Sequence, residues 1–145
     1  MSDSFTYPQK ASACRKGSYL MIDNHPCKII DMSTSKTGKH GHAKCKFMAK
    51  DIFDQSQHDF VQTSTHNVEI PNVSRKEYQL ADIDEDEYVS LLDDNAEIRS
   101  DLQLPDNNEL ADNIRKFYNS EVDCAITVLS ACGKEMIIDV KKITT

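Results

Sequence analysis

The sequence predicts a mainly β protein made of two small antiparallel barrels, and three observations carry that reading. Short apolar runs recur along the chain, each closed by turn residues, and a single stretch departs from them with helical periodicity. At 145 residues the chain suffices for one domain or two small ones. The charge balance then changes sign part-way: residues 1–70 hold nine Lys and Arg against seven Asp and Glu, whereas residues 71–145 hold eight against seventeen. Pro71-Asn72 lies at that change and marks the expected junction, dividing the chain into 1–71 and 72–145.

In the first part, residues 1–6 are polar and predicted disordered. Residues 18–22 and 27–32 read as strands joined by the turn Asp23-Asn24-His25-Pro26. Residues 45–52 and 59–63 follow as strands, with Asp54-Gln55-Ser56-Gln57 as their turn. Strands this closely spaced, with no helix between them, predict a small antiparallel barrel. The runs 27–32 and 45–52 flank 33–46, which becomes the tip of a long hairpin.

In the second part, 77–83, 87–92, 97–102, 125–130 and 135–141 read as five strands. The helix, about 107–118, falls between the third and fourth. Asp106, with Glu109 three residues on and Pro105 before it, has the form of a capping box. Leu110, Ile114 and Phe117 share one face at helical spacing and predict core packing, and Asn119-Ser120 ends the helix. Five strands with a helix in that place describe an OB-fold.

Composition narrows the class of protein. Five cysteines, Cys14, Cys27, Cys45, Cys124 and Cys132, are an odd number with no close pair at metal-site spacing. No apolar run approaches a secretory or membrane-spanning segment. These features predict a soluble, reduced, cytoplasmic protein with no membrane span. Cys27 and Cys124, among apolar neighbours, read as small core hydrophobes. The net charge of −7 disfavours a general RNA-coating role, yet a patch acts only within about 8 Å at physiological salt, so local pattern outranks the total.

The strongest local pattern is residues 33–46, STSKTGKHGHAKCK. From Met32 through Lys50 there is no carboxylate, while Lys36, Lys39, Lys44, Lys46 and Lys50 all fall inside. Gly38 and Gly41 bracket Lys39 and His40; glycine reaches positive φ freely, so the chain can reverse tightly and hold Lys39 outward. A cation on so thin a stalk suits a crowded polyanion, although on composition alone a solvated hairpin tip is the commoner outcome. A P-loop fails at two positions, since its first glycine would fall at Ser33 and His40 replaces the Ser or Thr after the lysine. A metal site from His40, His42 and Cys45 lacks any CxxC or HxxxH spacing and sits among lysines. No catalytic triad or metal cluster rises above chance spacing, so the chain reads as a non-enzyme without metal or bound cofactor.

Residues 33–44, STSKTGKHGHAK, resemble the hypusine loop of the eukaryotic translation initiation factor 5A family, the counterpart of bacterial elongation factor P. Arg15-Lys16, Pro26-Cys27-Lys28, Ser64-Thr65-His66-Asn67, Pro71-Asn72, Ser90-Leu91-Leu92, Leu104-Pro105 and 126–131 follow the family's order, so the likeness spans about 5–140. It implies an SH3-like barrel carrying the loop, followed by the OB-fold. It implies that deoxyhypusine synthase transfers an aminobutyl group from spermidine to Lys39 and that deoxyhypusine hydroxylase completes hypusine. It further implies binding to the ribosome and its rRNA beside the P-site peptidyl-tRNA, promoting peptide bonds at stalled sites such as proline runs and aiding termination. Lys36, Thr37, Gly38, His40, Gly41, His42 and Lys44 would then contact RNA or be read by the modifying enzymes. Two amines on a slender chain can bridge phosphates and 2′-hydroxyls where no backbone fits. A free single-stranded RNA-binding OB-fold protein is the competing reading, and a weak homodimer is left open.

Relatives usually carry a glycine in the turn after 77–83; here the acidic Asp82, Asp84, Glu85, Asp86 and Glu87 occupy it, and the sequence predicts a solvated turn. The turn Asp93-Asp94-Asn95-Ala96 also lacks glycine, leaving Asn95 as the expected left-handed residue. His25, His58 and His66 stand singly and read as turn or surface histidines, with His66-Asn67 bracing the junction. Tyr78, Tyr88, Phe117 and Tyr118 read as core or half-buried residues, not as a base-stacking platform.

Overall fold

The computed structural model describes residues 5–36 and 43–144. Packing divides the chain into two units, Met1–Val73 with Ala131–Gly133, and Ser74–Ser130 with Lys134–Thr145. The first holds strands β1 (Thr6–Lys10), β2 (Tyr19–Ile22), β3 (His25–Lys36), β4 (Ala43–Asp51), β5 (Gln57–Thr63) and β6 (Asn67–Pro71), with a 3-10 turn at Ala11–Ala13. The order β2-β3-β4-β5 forms one antiparallel sheet, and β1 pairs with β6. β2 packs beside β6, and Leu20, Ile22, Cys27, Ile29, Cys45, Phe47, Val68 and Ile70 fill the curled interior. This is the expected N-terminal barrel. Strand β4 shows its cause: Cys45, Phe47 and Ala49 point in, while Lys44, Lys46, Met48 and Lys50 point out.

Three expectations for this unit need correction. The first turn contains only Asp23 and Asn24, at φ 48° and 66°, because two consecutive left-handed residues make the tight hairpin that matches strand twist; His25 and Pro26 already belong to β3. Thr6 opens a strand where the polar composition predicted disorder; residues 1–4 lie outside the described residues. β6 was not expected, since its few apolar residues show their register only against β1, where Tyr7 meets Ile70 and Gln9 meets Val68.

The second unit holds β7 (Ser74–Ile83), β8 (Tyr88–Leu92), β9 (Ile98–Gln103), helix α1 (Asn108–Asn119), β10 (Cys124–Ala131) and β11 (Lys134–Lys142), in sheet order β11-β10-β7-β8-β9. This is the five-stranded OB-fold with its helix between the third and fourth strands. The long β7 serves two neighbours: Ser74–Gln79 pairs with β10, and Gln79–Ile83 pairs with β8 across a bulge between Leu80 and Asp82. Ile114 and Ala111 are buried on the helix, with Leu110 and Phe117 packed against the same core. The cap is Asn107, not Asp106: its Oδ1 accepts from Leu110 N at 3.1 Å, so the first turn starts one residue later than the capping-box pattern suggested. At the other end Glu121 takes φ 55° and donates to Tyr118 O, while Val122 N donates to Phe117 O, a Schellman closure without glycine.

The two glycine-free turns share one solution. Asp84 Oδ1 accepts from Asp86 N and Tyr88 N, both at 2.9 Å, and Glu87 adopts φ 68°. Asp93 Oδ1 likewise accepts from Asn95 N at 2.8 Å and Glu97 N at 3.0 Å, and Ala96 adopts φ 63°. The left-handed residue is therefore Ala96, not Asn95. The aspartate fixes the residues two and four ahead, which leaves the third to reverse the chain.

Candidate functional site

The basic segment is the end of the β3–β4 hairpin. Register runs Met32↔Phe47, Ser33↔Lys46, Thr34↔Cys45, Ser35↔Lys44 and Lys36↔Ala43. The turn is therefore narrower than 33–46: Ser33–Lys36 and Ala43–Lys46 are paired strand, because Ser and Thr tolerate extended backbone and each strand finds ladder bonds. Lys36 and Lys44 flank the tip, both exposed. Thr37, Gly38, Lys39, His40, Gly41 and His42 lie outside the described residues.

The arm behind the tip is held from one side. β4 pairs along its length with both β3 and β5, reaching Lys44↔Thr63, and Ser64 N donates to Ala43 O at 2.9 Å. β2 pairs with β3 only over His25–Lys28, so among the described residues Ile30–Lys36 is an edge held by β4 alone. Lys36, Lys44, Lys46 and Lys50 make no ion pair among the described residues. Their charges stay available for an outside anion.

The OB unit differs. Arg99 spreads its guanidinium over Asp101 at 2.6 and 2.7 Å and Glu135 at 2.7 and 2.8 Å, and it lies 5.6 Å from the Tyr78 ring centroid. Those hydrogen bonds hold the Glu135 and Asp101 carboxyls below the ordinary carboxylate range. Lys141 pairs with Glu77 and Arg115 with Glu87 and Asp112. Tyr78 is buried beneath the Lys76 ammonium, 5.1 Å from its ring, and offers no face to a base. Tyr88 and Tyr118 are more exposed than expected, and Tyr118 OH donates to Asp82 Oδ1.

The histidines depart from expectation. His25 and His58 stack with centroids 4.3 Å apart, and His25 Nδ1 lies 2.8 Å from Asp51 Oδ2. Separations of 26 and 33 positions hid this cluster. One signal was legible: Asp51 follows Cys45, Phe47 and Ala49 in the inward register of β4, where a carboxylate is out of place. His66 braces through its backbone, accepting from Ala11 N at 2.9 Å and donating to Thr63 O. Cys27 and Cys124 are buried free thiols; burial, with Asp51 adding to it, pushes Cys27 up to about 12. No helix among the described residues is long and apolar enough to cross a membrane.

Comparison with known proteins supplies the family. A model described as "Translation initiation factor 5A-like, N-terminal" matches residues 4–66, and one described as "Eukaryotic elongation factor 5A hypusine, DNA-binding OB fold" matches 72–141. Eukaryotic translation initiation factor 5A-1 of Arabidopsis thaliana is 48% identical over 97% of this chain and 89% of its own length. The Zea mays factor is 47% identical over 97% of this chain and 88% of its own. Among solved structures, a translation initiation factor 5A family protein from Naegleria fowleri superposes with a TM-score of 0.89 at 42% identity, covering 95% of this chain and 99% of that one. The factor from Methanococcus jannaschii gives 0.72 at 28% identity, covering 97% and 100%. These are translation factors rather than enzymes, and their family carries hypusine, a modified lysine. This chain belongs to the translation initiation factor 5A family.

Proposed function

We propose that this chain acts on the ribosome through Lys39 converted to hypusine, which reaches toward the end of the P-site peptidyl-tRNA and promotes peptide-bond formation at stalled sites, including proline runs, and termination. The observation that carries this reading is Lys39 between Gly38 and Gly41 at the end of a hairpin whose flanking lysines have no carboxylate partners among the described residues. An extended diamine there binds phosphate and ribose oxygens and fixes a flexible tRNA end. The contribution is entropic: orienting reactants whose chemistry belongs to the ribosome. Lys36, Thr37, Gly38, His40, Gly41, His42 and Lys44 contact RNA or guide deoxyhypusine synthase and deoxyhypusine hydroxylase. The hairpin belongs to a domain of about residues 1–71 and the OB-fold to 72–145, in a protein working in the cytoplasm.

Sequencing the 33–46 peptide from native protein by mass spectrometry tests this. The expected result is a hydroxylated aminobutyl addition on Lys39; an unmodified Lys39 in native protein contradicts it. The free RNA-binding OB-fold alternative is weakened by Arg99, the one cation on β8 and β9, being held by Asp101 and Glu135.

A further inference from the structure

We propose that His25, Asp51 and Asp54 form a binding site for a divalent transition-metal ion, Zn²⁺ in particular, at the base of the β3–β4 hairpin. One ligand atom from each of the three lies within 4.8 Å of the others. Imidazole nitrogen and carboxylate oxygen are both zinc ligands, and three such protein groups leave the fourth tetrahedral position to water. Calcium needs six to eight oxygens, more than these residues supply, and imidazole favours the zinc, copper and nickel end of the series.

Each ligand is placed before any ion arrives. Asp51 ends β4 and is almost fully buried, yet its Oδ1 already accepts from Phe53 N at 2.7 Å and Asp54 N at 3.0 Å. That turn is closed further by Asp51 N to Ser56 O at 2.8 Å and Gln55 N to Asp51 O at 3.0 Å, with Gln55 at φ 65°. Asp51 Oδ2 is thus aimed at His25 Nδ1. His25 begins β3 beside Asp51 because Cys27 pairs with Asp51 in register, and Ile52 N bonds Pro26 O at 3.0 Å. The stacked His58 fixes the plane of the His25 ring.

The outer groups have the form that metal sites use to orient ligands. Ser56 Oγ donates to Asp54 Oδ1 at 2.5 Å, so the 2.9 Å contact between Ser56 Oγ and His58 Nε2 has the ring nitrogen as donor. A chain from His58 through Ser56 thereby steers the exposed Asp54 carboxylate. Ligands about 2.1 Å from zinc stand about 3.4 Å apart in a tetrahedron, so binding opens the 2.8 Å His25–Asp51 contact by about 0.6 Å and leaves the neutral His25 ring with its proton on Nε2. The Cys27 thiol points to the His25 carbonyl and remains a core group. The twelve residues of β3 place this site roughly 35 Å along the strand from Lys36, separate from the basic tip.

The test is titration of the full-length chain, free of any histidine tag, with zinc chloride by calorimetry. One equivalent of saturable binding is expected in the parent protein and in His66→Gln. Asp54→Asn keeps the acceptor for Ser56 and removes one ligand charge, and affinity should fall at least tenfold; His25→Gln should lose as much. Because His25→Gln leaves a buried carboxylate without its partner, its fold is checked by the amide NMR spectrum, and Asp54→Asn decides if that variant does not fold. Absence of a saturable equivalent overturns the proposal. So does a loss under tenfold in Asp54→Asn or in folded His25→Gln, or a comparable loss in His66→Gln.

Discussion

At the scale of single residues, this chain places ordinary side chains where glycine is usual. Asp23, Asn24, Gln55, Glu87, Ala96, Glu121 and Cys132 all have positive φ. For most L-residues that conformation costs about 1–2 kcal/mol, whereas glycine loses about 0.4–1 kcal/mol through the freedom it adds to the unfolded chain. The first term wins. Ala96→Gly should raise stability by about 0.5 kcal/mol, read as a higher urea midpoint at unchanged slope. Glu121→Gly should gain about as much, since the Schellman bonds are made by backbone. Glu87→Gly should gain less, because Glu87 also pairs with Arg115 at 2.6 Å, a surface contact worth about 0–1 kcal/mol. A midpoint lowered by Ala96→Gly would show that the aspartate bonds, not the dihedral, set the energy of that turn.

At the scale of elements, the helix cap separates pattern from geometry. Asn107→Ala should cost about 1 kcal/mol and Asp106→Ala almost nothing, measured by chemical denaturation, since the Asn107 side chain holds Leu110 N. The sequence favoured Asp106 because two residues of similar capping strength adjoin, and one-position differences at helix ends depend on local dihedrals that composition does not carry. Strands with clean alternation, such as β4, were legible, as was the stripe of α1. β1 and β6 were not: their meaning lies in a pairing 57 to 65 positions apart, from Lys10↔Asn67 to Thr6↔Pro71. The histidine cluster was hidden for the same reason. Arg99 shows what such non-local contacts add, for it joins β9 to β11, the two ends of the sheet order, over Tyr78 of the central strand. Its partners Glu135 and Asp101 have depressed folded-state pKa values, so their stabilisation is present above the ordinary carboxylate range of about 4 and lost as pH falls below it. Arg99→Leu should therefore lower the urea midpoint at pH about 7 and approach the parent as pH drops toward about 3. A difference independent of pH would assign the loss to packing on Tyr78 instead.

At the scale of the whole molecule, the uneven distribution of charge separates binding from positioning. The chain carries −7 overall, yet its cations stand apart by role: Arg99, Arg115 and Lys141 are spent on internal carboxylates, while among the described residues Lys36, Lys44, Lys46 and Lys50 have no carboxylate partner. If those lysines meet rRNA phosphates, each releases counterions, and the logarithmic salt dependence of ribosome affinity should flatten by roughly 0.7–0.9 for every contact removed. Lys46→Gln with Lys50→Gln should weaken binding and flatten that slope, while mass spectrometry finds the modification proposed for Lys39 unchanged. Lys39→Arg should do the reverse. It keeps one positive charge where hypusine would carry two, so the salt slope flattens by no more than about one contact, but arginine cannot accept the aminobutyl group, and peptide-bond formation through proline runs should fall to the level without factor. The first pair alters how much factor is bound; the second alters what bound factor achieves. Restoration of the Lys39→Arg rate by raising factor concentration would mean that Lys39 contributes affinity alone, and the positioning role would have to move elsewhere on the hairpin.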